Sequence, residues 1–159
     1  MNRSLKFLVA LFSMVLILSA CTGYSNSQKK AFDEKLQVFM KKENLQLTKT
    51  SSGVYYKIVK EGSGDYVHVT DTVTVFYKGT LLKDGSIFDQ TKDKPARFPL
   101  QRLIKGWQIG VPKCRVGGTI KIIIPAGIAY GMRTRSKAIP PNSVLVFEIE
   151  VVKAAPAKS

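Results

Sequence analysis

His68 is the single histidine of this 159-residue chain, and only two cysteines, Cys21 and Cys114, accompany it. That supply is too thin for the commonest catalytic chemistries. Nucleophilic hydrolysis needs a base beside its nucleophile, and the sequence has neither a Gly-x-Ser-x-Gly turn nor a workable Cys-His pairing. His68, in Tyr66-Val67-His68-Val69, has no second histidine or acidic cluster nearby, so it reads as a surface strand position and no metal site is expected. Gly62-Ser63-Gly64 and Gly117-Gly118 lack both the Lys-Ser/Thr ending of a phosphate loop and the dinucleotide-binding pattern, so they read as turns and no cofactor is expected. Asp89 directly follows Phe88, without a second carboxylate close enough to make an acid and base pair. What remains is a store of aromatic and branched side chains near turns: Tyr77, Phe88, Phe98, Ile104, Trp107, Tyr130, Ile139 and Phe147. Each alone reads as core. Together, beside Gly106, Gly131 and Pro140-Pro141, they could line a shallow apolar pocket, with the one tryptophan, Trp107, as either its floor or a core residue.

Such a pocket needs elements to hold it. Val54 to Lys60 is β-rich and stops at Glu61-Gly62-Ser63-Gly64. Thr72 to Lys78 alternates, with Val73, Val75 and Tyr77 on one face, and ends at Gly79. Thr119 to Ile124 is a further strand closed by Pro125, which cannot donate to a ladder. Val144 to Val152 places Leu145, Phe147, Ile149 and Val151 on one side and Glu148 and Glu150 on the other, which predicts a sheet with one buried and one wet face. The buried face needs a cover. Leu103, Ile104, Trp107 and Val111 share a helical face, and Pro112 ends that helix soon after Gly110. The expected fold is α+β: an antiparallel sheet with one short helix packed across it, in a single domain over 51–153, followed by a flexible tail over 154–159.

The first twenty residues stand apart. Arg3 and Lys6 precede an apolar run from Phe7 to Leu18, too short to span a bilayer comfortably, and Leu18-Ser19-Ala20 leads into Cys21. This order is that of a secretory signal over 1–20, and Leu18-Ser19-Ala20-Cys21 resembles the lipobox of bacterial lipoproteins, with Cys21 as the lipidated residue. Thr22 after the cysteine is not acidic, which favours an outer membrane where the organism has one. Removing the leader lowers the formal charge from +14 to +12. The lysines are scattered without a dense block, so attraction to anionic lipid or acidic envelope polymers is expected rather than nucleic-acid binding. Lipidation of Cys21 leaves Cys114 as the only thiol, read as a small core residue with no internal disulfide. Over 21–50, a polar tether from Thr22 to Gln28 precedes an amphipathic helix over 29–44, with Phe32, Leu36, Phe39 and Met40 at helical spacing. It is expected to pack on the main domain, with weak self-association or contact with the membrane as the alternatives.

Six separated motifs resemble, in order and spacing, the FKBP family of peptidyl-prolyl cis-trans isomerases. They are Val75-Phe76-Tyr77-Lys78-Gly79, Gly85-Ser86-Ile87-Phe88-Asp89, Leu103-Ile104-Lys105-Gly106-Trp107, Ala129-Tyr130-Gly131, Ile139-Pro140-Pro141-Asn142 and Leu145-Val146-Phe147-Glu148. The resemblance implies a five- or six-stranded antiparallel half-barrel wrapped around the short helix, acting on proline-containing polypeptides. It implies Trp107 as the floor beneath the proline ring and Tyr77, Phe88, Phe98, Leu103, Ile139 and Phe147 as walls. The Ile104 N–H and the Tyr130 hydroxyl would donate to substrate carbonyls, and Asp89 would bond Tyr77 or act on the twisting imide. This sequence departs from the family in three places, one of them a short loop from Gln90 to Lys94. Ala96 stands where a second aromatic wall is usual, and Met132 to Ala138 is basic. A wider, positively charged mouth is therefore expected, with weaker binding of large macrolides and a preference for acidic residues near the substrate proline. A binding or chaperone module on the same fold, holding proline segments without turning them over, is the alternative function. A third reading is an envelope adhesin or polymer binder that acts through the basic surface and is indifferent to changes in the pocket.

Overall fold

The structure, a computed structural model, describes residues 25–132 and 137–156. The leader, Cys21, the central part of the basic turn and the last three residues lie outside the described residues. Seven antiparallel strands form one sheet, more than the five or six expected. In chain order these are β1 (Thr48–Lys49), β2 (Tyr55–Lys60), β3 (Asp71–Leu81), β4 (Ile87–Gln90), β5 (Ala96–Pro99), β6 (Thr119–Ile124) and β7 (Leu145–Pro156). Their spatial order is β1-β2-β6-β7-β3-β4, and β5 shares the free edge of β3 with β4. Helix α1 (Asn26–Lys42) precedes the sheet, and the short helix α2 (Lys105–Gly110) crosses it.

Strand β6 has the bounds its pattern predicts, whereas β3 and β7 run further. β3 continues through Gly79 to Leu81, and β7 pairs with it along its whole length, from Leu81↔Leu145 to Asp71↔Pro156. Residues 154–156 of the expected tail are thus strand, held by the ladder to β3. At the other end Thr48 and Lys49, which precede the expected start of the domain at residue 51, already pair with β2. His68 lies in an exposed loop, not in a strand; its N–H donates to the Asp71 carboxylate at 2.8 Å.

The inner face carries the main core. Val73 and Val75 of β3, Ile120, Ile122 and Ile124 of β6, and Ile149 and Val151 of β7 cluster there with Trp107 and Val111. Two glycines set how closely α2 approaches. A Cβ on Gly106 would stand 2.2 Å from Ile124 Cγ2, and one on Gly110 would stand 2.9 Å from Ile122 Cγ2. The helix backbone therefore rides directly on β6, which fixes the position of Trp107 between the two glycines.

The outer face departs from expectation, because it is not uniformly wet. The predicted face of α1, Phe32, Leu36, Phe39 and Met40, packs against Tyr55 of β2 and Ile123 of β6, with Val144 and Val146 alongside. Leu36 and Ile123 are fully buried. The helix begins three residues before the expected 29, inside the stretch read as a tether. Ser25 and Gln28 form a reciprocal capping box that satisfies two of the first-turn donors. A polar latch joins the same seam: the Tyr55 hydroxyl donates to Asp33 Oδ1 at 3.1 Å, and the Lys49 ammonium pairs with Asp33 Oδ2.

Candidate functional site

At the junction of α2 with the inner face, three aromatic rings meet a fourth edge to face, and a fifth packs behind them. Trp107, only 4% exposed, receives Phe147 at 5.2 Å between ring centroids, Tyr77 at 5.6 Å and Phe98 at 6.4 Å. Phe88 packs on Phe147 at 5.4 Å. The interplanar angles of these four contacts are 83–86°, the arrangement that brings ring edges onto ring faces. Three strands supply the walls: Tyr77 comes from β3, Phe98 from β5 and Phe147 from β7.

The position of Phe88 depends on a backbone irregularity. Pairing between β3 and β4 shifts between Gly79 and Thr80, so Asp89 opposes Gly79, Ile87 opposes Thr80 and Phe88 is the extra residue. Its ring then lies over Gly79, where a Cβ would stand 2.6 Å from Phe88 Cζ and 2.9 Å from Phe147 Cε1. Gly79 is therefore the space into which two wall residues close. Sequence reasoning took it only as the end of a strand.

Asp89 and Tyr77 are diagonal neighbours across the same pair of strands, a separation that a tyrosine can span. The Tyr77 hydroxyl donates to Asp89 Oδ2 at 2.7 Å. Burial first, then the Asp89 carboxylate and the proximity of Tyr130, hold Tyr77 well above the usual tyrosine range, so it remains a donor. Thr91 fixes the register beneath this pair. It accepts the Tyr77 N–H at 2.9 Å on its hydroxyl and returns its own N–H to the Tyr77 carbonyl at 3.0 Å.

Ile104 is the N-cap of α2, in extended conformation, and its N–H has no acceptor among the described residues. Early N–H groups of a helix lack internal partners, so a donor at this position points outward. Gln108, which sequence reasoning missed, stabilises the turn: its amide donates to the carbonyls of Leu103 at 2.7 Å and Gln101 at 2.9 Å. Its only sequence signal is a polar residue between Trp107 and Ile109. Leu103, Ile104 and Tyr130 pack against the inner core as partly buried residues, and Ile139 belongs to it at 6% exposure. All the expected wall residues therefore line or border one core. Ala96 opposes Val75 and Phe98 opposes Val73, so both lie on the inner face of β5. Cys114 is buried in the same core, and burial pushes its thiol up to about 11. Among the described residues no group of three His, Cys, Asp or Glu side chains is placed to hold a metal ion.

A twisted antiparallel sheet closed on a short helix, with an aromatic basin at their junction, defines the FKBP-like fold class. Residues 64–152 match the sequence profile of the FKBP-type peptidyl-prolyl cis-trans isomerase domain, and the chain belongs to that family. It is 43% identical over 110 residues to the FKBP-type peptidyl-prolyl cis-trans isomerase FkpA of Escherichia coli (strain K12), a match covering 68% of this chain and 40% of that protein. It is 40% identical over 108 residues to the outer membrane protein MIP of Legionella longbeachae, covering 67% of this chain and 46% of that one. The chain thus spans less than half the length of these two relatives. The crystal structure of FkpA from Escherichia coli superposes with a TM-score of 0.70 at 31% identity, covering 99% of this chain and 75% of that one.

Proposed function

We propose that this chain is a peptidyl-prolyl cis-trans isomerase whose site is the aromatic basin on Trp107. The observation that carries the reading is the buried indole ringed by three edge-on aromatic side chains, with the Tyr77–Asp89 hydrogen bond at one side. Such a site has no nucleophile and needs none. The X-Pro amide owes its rotational barrier, about 18–20 kcal/mol, to resonance, and the twisted state has lost most of that charge separation. Moving the bond from water into an apolar basin disfavours the planar form relative to the twisted one, so the gain is differential and lowers the barrier. The proline ring would lie on Trp107 between Tyr77, Phe88, Phe98, Leu103, Ile139 and Phe147. The Ile104 N–H and the Tyr130 hydroxyl would hold flanking carbonyls and preset the turn. Asp89 would orient Tyr77 and present its carboxylate at the edge of the twisting imide.

The leader over 1–20 and Cys21 support an exported, lipid-anchored protein of the bacterial envelope, on the outer membrane where one exists. A relative named for the outer membrane agrees with that placement. The clients would be proline-containing segments of envelope proteins, whose uncatalysed isomerisation takes tens to hundreds of seconds. Helix α1 uses its apolar face on its own sheet, which favours a monomer with at most weak dimerisation. Ala96, small on the inner face beside Phe98, supports a second reading, a module that holds proline segments without turning them over. The test is isomerisation of short X-Pro peptides by the wild type and by an Ala96→Phe variant. Faster turnover by the wild type than the thermal rate supports the enzyme. Binding without acceleration, restored by Ala96→Phe, supports the module.

A further inference from the structure

A cleft of about 800 Å³ lies outside the aromatic basin, between the first turns of α1 and the loop that follows β6. Phe32, Ala31, Ile128 and Val144 give it an apolar lining, and Lys29, Lys35 and Lys49 stand on its walls against one carboxylate, Asp33. That carboxylate is already occupied: one oxygen accepts from Tyr55 and the other pairs with Lys49. Lys29 and Lys35 form no ion pair among the described residues, whereas Lys121 on the open sheet surface has Glu148 at 3.7 Å. The cleft therefore holds an uncompensated positive charge beside apolar surface, a combination suited to an acidic, extended peptide.

Its position relates it to the basin. Ile128 lines the cleft and stands two residues before Tyr130, no more than about 7 Å along an extended chain. The Gly131 N–H donates to the Ala126 carbonyl at 2.8 Å, and the Asn142 N–H donates to the Gly131 carbonyl at 2.8 Å, so the segment dividing the two concavities is internally braced. We propose that the cleft is a second subsite, which holds an acidic segment of the same polypeptide whose proline lies on Trp107. This rests on the isomerase reading of the basin. An arm of about three to six extended residues reaches about 10–20 Å. The subsite selects unfolded clients by their charge pattern, independently of the residue that precedes proline.

The experiment uses the full chain in detergent and three kinds of peptide. One is a short X-Pro peptide confined to the basin, and the others carry a run of glutamates or of lysines about four residues from the proline, on either side. The account predicts that the glutamate-armed peptide, in one of its two orientations, has a kcat/KM about tenfold above its lysine-armed counterpart. In a Lys29→Glu/Lys35→Glu double variant that preference reverses, with the short-peptide rate as internal reference. Ala31→Trp, which fills the cleft without changing its charge, lowers the advantage of the armed peptides through KM rather than kcat. An unchanged glutamate-to-lysine ratio in the double variant overturns the proposal. A wild type that fails to accelerate even the short peptide sinks the isomerase reading instead. Fluorescence anisotropy with the labelled glutamate-armed peptide then decides the cleft by itself: affinity lost in the double variant upholds it, and equal affinity overturns it.

Discussion

The two faces of the sheet carry helices in opposite ways. On the inner face α2 has glycines where it touches β6, and its backbone seats on Ile122 and Ile124 with no side chain between. On the outer face α1 inserts Leu36 as a plug and adds a polar latch from Asp33 to Tyr55 and Lys49. The inner seam leaves no tolerance, because the same contact that builds the core fixes Trp107. The outer seam is adjustable, with long side chains and exposed charge, and no basin residue belongs to it. Basin geometry and fold stability are therefore one property on the inner face and two properties on the outer.

Substitutions that separate activity from stability test this contrast. Trp107→Ala removes the shared member of three edge-on contacts and is expected to cost about 3–5 kcal/mol of stability, read from denaturant unfolding, with loss of isomerisation. Leu36→Ala empties a fully buried site on the outer seam and should cost about 2–4 kcal/mol, yet leave kcat/KM on short peptides close to wild type. Comparable activity losses in both variants would end the distinction. Gly106→Ala adds one methyl group against Ile124 and should cost about 1–3 kcal/mol, with a fall in activity larger than that of Leu36→Ala.

The smallest effect is one of pH. Tyr77 on the inner face and Tyr55 on the outer are both raised above the ordinary tyrosine range, with burial as the largest cause. Each therefore keeps its proton in the folded state at a pH where the unfolded chain has lost it. Their contribution is complete below about pH 10 and declines as pH rises beyond that value. Tyr77→Phe and Tyr55→Phe should each flatten the alkaline fall of stability, measured as urea midpoints between about pH 9 and 11. Only Tyr77→Phe should also change isomerisation at neutral pH.

The parts of the fold visible in the sequence are those with long patterns. Alternation over Val144 to Val152 and the run Thr119 to Ile124 gave two central strands, and six motifs in order identified the half-barrel. The short strands β1, β4 and β5 have two to four residues each, too few for a period to register. The packing of the N-terminal helix on the domain was expected, but the face it covers was not, although Ile122-Ile123-Ile124 carries a trace of it. Three branched residues in succession place one, Ile123, on the reverse side, and a strand with a wet face has no use for it there. Among the site residues, types and order were legible through the resemblance, but their support was not. The bulge at Phe88, the clearance at Gly79 and the Gln108 clamp arise from pairing register and chain approach, which no single segment encodes.

The most direct test of the central claim is cis-to-trans relaxation of short X-Pro peptides, followed with the full chain in detergent beside Asp89→Ala and Tyr130→Phe. The account predicts acceleration above the thermal rate that falls about tenfold or more in Asp89→Ala, a change of about 1.4 kcal/mol in the barrier, and falls also in Tyr130→Phe, with unfolding midpoints near wild type. A wild-type rate equal to the thermal one, in folded protein that binds proline peptides, would contradict it.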